Sequence, residues 1–196
     1  SSIAANDANA YGVSFEQGID GNAARITAGS INYPYFINFP RNHGTVEFLI
    51  KPYTYNGGMF ESGYLGYKST LGLFKVSQGI SAMEIRNDNS SFLQAWHDTE
   101  PRLNTNDWYH VAGVWNCNAD GNDFFQMFIN GVSGYRHERN VCTPFREPNQ
   151  KWLRLGATGW YGTGDSAYDE FKIFDYAKTQ NEIRADYNRY LGGFAC

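Results

Sequence analysis

The stretch Gly159-Trp160-Tyr161-Gly162-Thr163-Gly164-Asp165 sets two flat aromatic side chains among glycines, with a carboxylate close behind. Sugar rings offer apolar C–H faces that stack on such side chains, and hydroxyls that need fixed polar partners. Trp160, Tyr161 and Asp165 are therefore candidate saccharide contacts. Trp96 and His97, in FLQAWHD, repeat that combination, and Tyr64 and Tyr67 stand in the glycine-spaced YNGGMFESGYLGY. Arg136, His137 and Arg139 form a basic cluster in YRHERN. Guanidinium forks suit the carboxylates or sulfates of an acidic glycan, and the alternative is a plainly solvated face.

A different chemistry is suggested by SAYDEFKIFDY. Alternation along a strand groups Asp169 with Phe171 and Ile173, and Tyr168 with Glu170 and Lys172. The first group is apolar apart from its carboxylate. A buried charge needs compensation by hydrogen-bond donors, a cation or a metal, so Asp169 is marked as a residue with a partner to find.

These side chains must be held by strands. GTVEFLIKP puts Val46, Phe48 and Ile50 on one face and Thr45, Glu47 and Lys51 on the other, and Pro52 ends it. LGLFKVS, SAMEIRND and FLQAWHD follow as short runs. DWYHVAGVWN and NDFFQMFINGV, joined across Asp120-Gly121, read as a hairpin, and Asn130-Gly131 supplies a second tight turn. KWLRLGATG and AYDEFKIFDY complete the series. Strands this regular predict an all-β, two-sheet antiparallel sandwich. One short C-terminal helix is expected: Thr179 and Glu182 make a capping box, and Ile183, Tyr187 and Leu191 recur every four residues.

Composition agrees. The chain has 196 residues, 17% aromatic, with 21 glycines, which suits a single β-rich domain over 1–196 with many turns. A net charge of −4 offers no general attraction for nucleic acid, and no apolar run approaches the length of a membrane span. Cys117, Cys142 and Cys196 leave one cysteine over if two pair, and either Cys117 with Cys142 or Cys142 with Cys196 fits the sequence. With the sequon Asn89-Ser90-Ser91, this points to a secreted, extracellular protein.

NDWYHVAGVWN, MFINGV, LRLGATG and YDEFKIFDYAKTQNEI, in that order from Trp108 to Tyr187, resemble the laminin-G-like branch of the concanavalin A-like lectin/glucanase superfamily. VSFEQGIDGNAARI is similar to that family's first strand. The resemblance implies a β-jelly roll, with Trp108, His110 and Trp115 as packing residues. It also implies that the final-strand Asp169 helps to hold a structural calcium with the first-strand residues Glu16, Gly18, Asp20 and Gly21.

Hydrolases of this superfamily carry two glutamates on one strand, in a Glu-x-Asp-x-x-Glu pattern, and no such stretch exists here. A Gly-x-Ser-x-Gly elbow, clustered zinc ligands and a phosphate-binding loop are also missing from the sequence. The expectation is a non-catalytic module binding a polysaccharide or other glycan, monomeric or part of a larger chain. The alternatives are a jelly-roll polysaccharide lyase and an extracellular adhesion domain.

Overall fold

The computed structural model describes residues 9–34, 39–40, 42–63, 71–86, 92–117, 123–138, 152–158 and 161–192. Among these, fourteen strands and one α-helix form. The strands are β1 (Asn9–Gln17), β2 (Asn22–Pro34), β3 (His43–Pro52), β4 (Gly57–Gly63), β5 (Leu71–Lys75), β6 (Ser81–Arg86) and β7 (Phe92–His97). They continue with β8 (Tyr109–Asn116), β9 (Phe124–Ile129), β10 (Val132–Glu138), β11 (Trp152–Leu155), β12 (Ala157–Thr158), β13 (Gly162–Thr163) and β14 (Ser166–Phe174). The helix, α1, is Gln180–Tyr190.

Strand order is β10-β9-β8-β3-β14-β2-β11-β4-β5-β6-β7, with β1 on β2 and the short β12–β13 pair attached to β4. The long β2 joins two layers. Its residues 24–26 pair with β14, and its residues 31–34 pair with β11. One core lies between the layers: Val46, Phe48, Val111, Phe125 and Met127 from the first, and Phe60, Leu73, Met83, Ile85 and Leu155 from the second. The expected two-sheet antiparallel sandwich and its jelly-roll strand arrangement are present.

Local signals account for several joints. Asn130 and Gly131 take φ of 50° and 73° between β9 and β10, the doubly left-handed turn whose twist suits a hairpin. The Asn130 side chain also accepts the His110 N–H at 2.9 Å. At the helix start both halves of the Thr179–Glu182 capping box form. Of the expected apolar stripe only Ile183 is fully buried, against Ala112, Val114 and Phe128 on the outward face of β8 and β9. Charge completes this docking: Lys178 Nζ donates to Glu47 Oε1 at 2.9 Å and to Asp186 Oδ2 at 2.8 Å.

One sequence reading is corrected. The pairing of β14 with β3 shifts register between Asp169 and Lys172, and Glu170 takes φ of 50°. One extra residue at such a bulge resets the alternation. Tyr168 therefore enters the core against Phe48, and Phe171 and Ile173 return to the same side. Asp169, paired with Leu49, is buried as expected but on the opposite face from Phe171 and Ile173.

Candidate functional site

Alternation in the second layer sends Phe60, Leu71, Leu73, Met83, Ile85 and Ala95 into the core, so the residues between them face outward. Register then aligns six of those in one row. Asn32 lies beside Arg154, Arg154 beside Glu61, Glu61 beside Gly72, Gly72 beside Glu84, and Glu84 beside Gln94. The side chains brace one another: Gln94 Nε2 donates to Glu84 Oε2 at 2.7 Å, and Arg154 Nε donates to Asn32 Oδ1 at 2.9 Å.

Glu61 and Glu84 are each only 6% exposed although they point away from the core. Between them stands Gly72, where an added Cβ would meet only the Phe60 carbonyl oxygen, at 3.7 Å. The glycine is a bare floor. With strands spaced at about 4.8 Å, the two glutamates rise from backbones roughly 10 Å apart, on either side of that floor.

The next row is apolar. Phe74, Ala82 and Trp96 pair across β5, β6 and β7. Tyr161 stacks on Phe74 with centroids 3.8 Å apart, and Trp96 meets the same ring edge-on at 6.1 Å. Tyr161 and Trp96, separate candidates in the sequence, converge on one residue that sequence reading did not single out.

The remaining candidates lie elsewhere. His97 is fully buried, and its proposed ligand contact is corrected: alternation along β7 turns Trp96 outward and His97 inward. Its Nε2 sits 3.1 Å from the Val132 carbonyl oxygen, and burial pushes its pKa down. Asp165 is bound by Arg25 through both oxygens, at 3.0 and 2.8 Å, with the guanidinium 4.0 Å from the Tyr53 ring centroid. Arg136 lies 3.6 Å over Phe124 and 2.8 Å from Glu138. It borders a groove of about 600 Å³ with Gln126, Phe128 and Thr179, beside the helix and away from the polar row. Trp160, Tyr64, Tyr67 and Arg139 lie outside the described residues.

The calcium ligand set expected at the first and last strands does not fit a metal. Asp169 Oδ2 accepts the N–H groups of Ile19 and Asp20 at 2.9 and 3.0 Å, and Oδ1 accepts that of Glu170 at 2.9 Å. Peptide N–H groups present positive ends where a cation needs oxygen donors. A Cβ at Gly18 would stand 2.5 Å from Asp169 Oδ2, so the turn closes on the carboxylate itself. Glu16 accepts the Tyr53 hydroxyl at 2.5 Å and lies 3.5 Å from Lys51 Nζ, while Asp20 is exposed. Among the described residues no group of three or more His, Cys, Asp or Glu is placed to hold a metal.

Sequence reading missed Glu61, Gly72, Glu84, Gln94 and Arg154. Each is a single outward residue in a short strand (GGMFESG, LGLFK, SAMEIR, FLQAWH, WLRL), and only register brings them into line.

A family model of laminin G type, described as concanavalin A-like lectin/glucanases superfamily, matches residues 20–184. No curated protein matches the chain. Among solved structures, it is similar to domain 4 of an extracellular arabinanase from Geobacillus stearothermophilus in complex with arabinotriose. The TM-score is 0.70 and the identity 20%, over 88% of this chain and 80% of that one. The ligand-binding domain of botulinum neurotoxin serotype D, in complex with N-acetylneuraminic acid, gives a TM-score of 0.66 at 14% identity, over 93% of this chain and 46% of that one. A SAP-like pentraxin from Limulus polyphemus gives 0.58 at 18%, over 88% and 79%. The chain thus spans less than half of the toxin domain. At these identities the likeness is one of fold.

Proposed function

We propose that this chain, which belongs to the concanavalin A-like lectin/glucanases superfamily, is a non-catalytic carbohydrate-binding module. Its glycan lies on the outward face of β11-β4-β5-β6-β7. One observation carries this reading: the Trp96–Phe74–Tyr161 aromatic group stands one row from the braced line Asn32–Arg154–Glu61–Gly72–Glu84–Gln94. Aromatic surface for C–H faces and fixed polar groups for hydroxyls are the two things a saccharide site needs. Two similar structures support it, since the arabinanase domain carries arabinotriose and the toxin domain N-acetylneuraminic acid. We place the module outside the cell, where the disulfide at Cys117 would persist. No described helix is long and apolar enough to cross a membrane.

A second reading, glycoside hydrolysis, is favoured by the same row. Inverting enzymes hold two carboxyl groups about 6.5–9.5 Å apart to admit a water, and Glu61 and Glu84 flank Gly72 on one face. A lyase has less support, because His97 is buried and Arg136 lies on another surface.

The test is binding to an array of immobilised glycans by the intact protein and by Trp96→Ala. Truncating an aromatic anchor costs more than about 1 kcal/mol, so retention should fall roughly tenfold. Equal retention by the variant would contradict the assignment. Release of reducing sugar, lost in Glu84→Gln, would replace binding by hydrolysis.

A further inference from the structure

We infer that the glycan site runs on past Trp96, over the edge of β7, and ends on Tyr135 of β10, so that the module takes several consecutive sugars of a chain and not a terminal unit alone. This rests on the binding reading above and adds the length of ligand recognised. The route crosses from the second layer to the first, because β10 comes against β7 at this point. A Cβ at Gly134 would stand 2.6 Å from the Trp96 carbonyl oxygen and 3.0 Å from His97 Cα. Glycine permits so close an approach of two backbones. The Val132 carbonyl oxygen, 3.1 Å from His97 Nε2, makes a second link between the same strands. From the first layer, Gln126 Nε2 donates to the Gly134 carbonyl oxygen at 2.9 Å and holds the joint in place.

Tyr135 follows this joint directly. The pairing of β10 with β9 shifts register between Ser133 and Arg136, so Gly134 and Tyr135 together oppose Met127. His137 pairs with the core residue Phe125 and stacks on it at 5.2 Å, and Tyr135 meets His137 edge-on at 6.1 Å. Tyr135 therefore stands on the side of β10 that faces the second layer, beside β7. It is nonetheless 61% exposed, so core packing does not account for the ring. An aromatic side chain braced from behind, with its remaining surface in water, suits the C–H face of a sugar. The row Phe74–Ala82–Trp96 crosses β5, β6 and β7, and Tyr135 adds one aromatic beyond its last strand.

The experiment titrates the intact protein calorimetrically with the disaccharide and the hexasaccharide of arabinan, xylan and cellulose, and repeats this with Tyr135→Ala, Tyr135→Phe and Trp96→Ala. The hexasaccharide of a bound glycan should bind more tightly than its disaccharide. Tyr135→Ala should lower hexasaccharide affinity roughly tenfold, leaving disaccharide binding and the thermal midpoint unchanged. Tyr135→Phe keeps the ring and should keep the affinity, while Trp96→Ala should weaken both lengths. Unaltered hexasaccharide binding by Tyr135→Ala overturns the inference, as does equal binding of the two lengths by the intact protein. A loss shared evenly by both lengths in Tyr135→Ala overturns it too, since the residue would then act at the Trp96 ring or through the fold. If Trp96→Ala still loses binding in any of these cases, the saccharide face stands and only its extension falls. No binding of any saccharide overturns the inference together with the function it rests on.

Discussion

Lys75 is the residue where burial and charge conflict most directly. It has no exposed surface, and its Nζ donates to Ser166 Oγ at 2.5 Å. Burial pushes its pKa down to about 8, against a smaller upward pull from Asp165. A lysine depressed in the folded state binds fewer protons than in the unfolded chain between about pH 8 and 10.5, so stability rises with pH across that window. Below pH 8 the full cost applies, on the order of 3 kcal/mol. Lys75→Met removes the charge while keeping the volume. Chemical denaturation should find the variant more stable at pH 7, with the difference shrinking between pH 8 and 10. A pH-independent difference would contradict the assigned cause. Nothing in LGLFKVS announces this conflict, because Lys75 looks like an ordinary polar strand end; only the fold brings its ammonium to Ser166, 91 residues on.

At the scale of elements, local chemistry was legible and its geometry was not. The Asn130-Gly131 turn and the Thr179 cap follow from residue type alone. The bulge in β14 does not, since Glu170 in a left-handed conformation has no sequence signature, yet it reverses the side on which Asp169 points. That reversal turns a supposed metal ligand into a clamp on the β1–β2 turn, closed by three peptide N–H groups. Thermal midpoints should therefore be equal in calcium and in excess chelator. Asp169→Asn should lower stability by roughly 1–3 kcal/mol, since its amide N–H₂ cannot accept from donors that the carboxylate now satisfies. A midpoint that climbs with calcium would show that a cation binds there after all.

For the whole molecule, the sandwich could be anticipated from alternation and turns, because strands such as β3, β8 and β9 carry their own period. The site could not. Asn32, Arg154, Glu61, Gly72, Glu84 and Gln94 come from six strands spread between positions 32 and 154, and their line exists only in the register of the assembled layer. Trp96 was recognised for its type, and its neighbour His97 was misplaced because one residue's shift along a strand exchanges inside for outside. The same layering leaves the two outward faces unlike: α1 covers part of the first through Ile183, while the second carries the aromatic and polar rows. Mapping bound ligand by amide chemical shifts of the isotopically labelled protein separates these faces directly. With arabinotriose, the account predicts that shifted amides cluster on β4, β5, β6, β7 and β11, centred on Gly72 and Trp96. Shifts confined to the helix-side groove around Phe124 and Arg136, with the Gly72 amide unmoved, would contradict it.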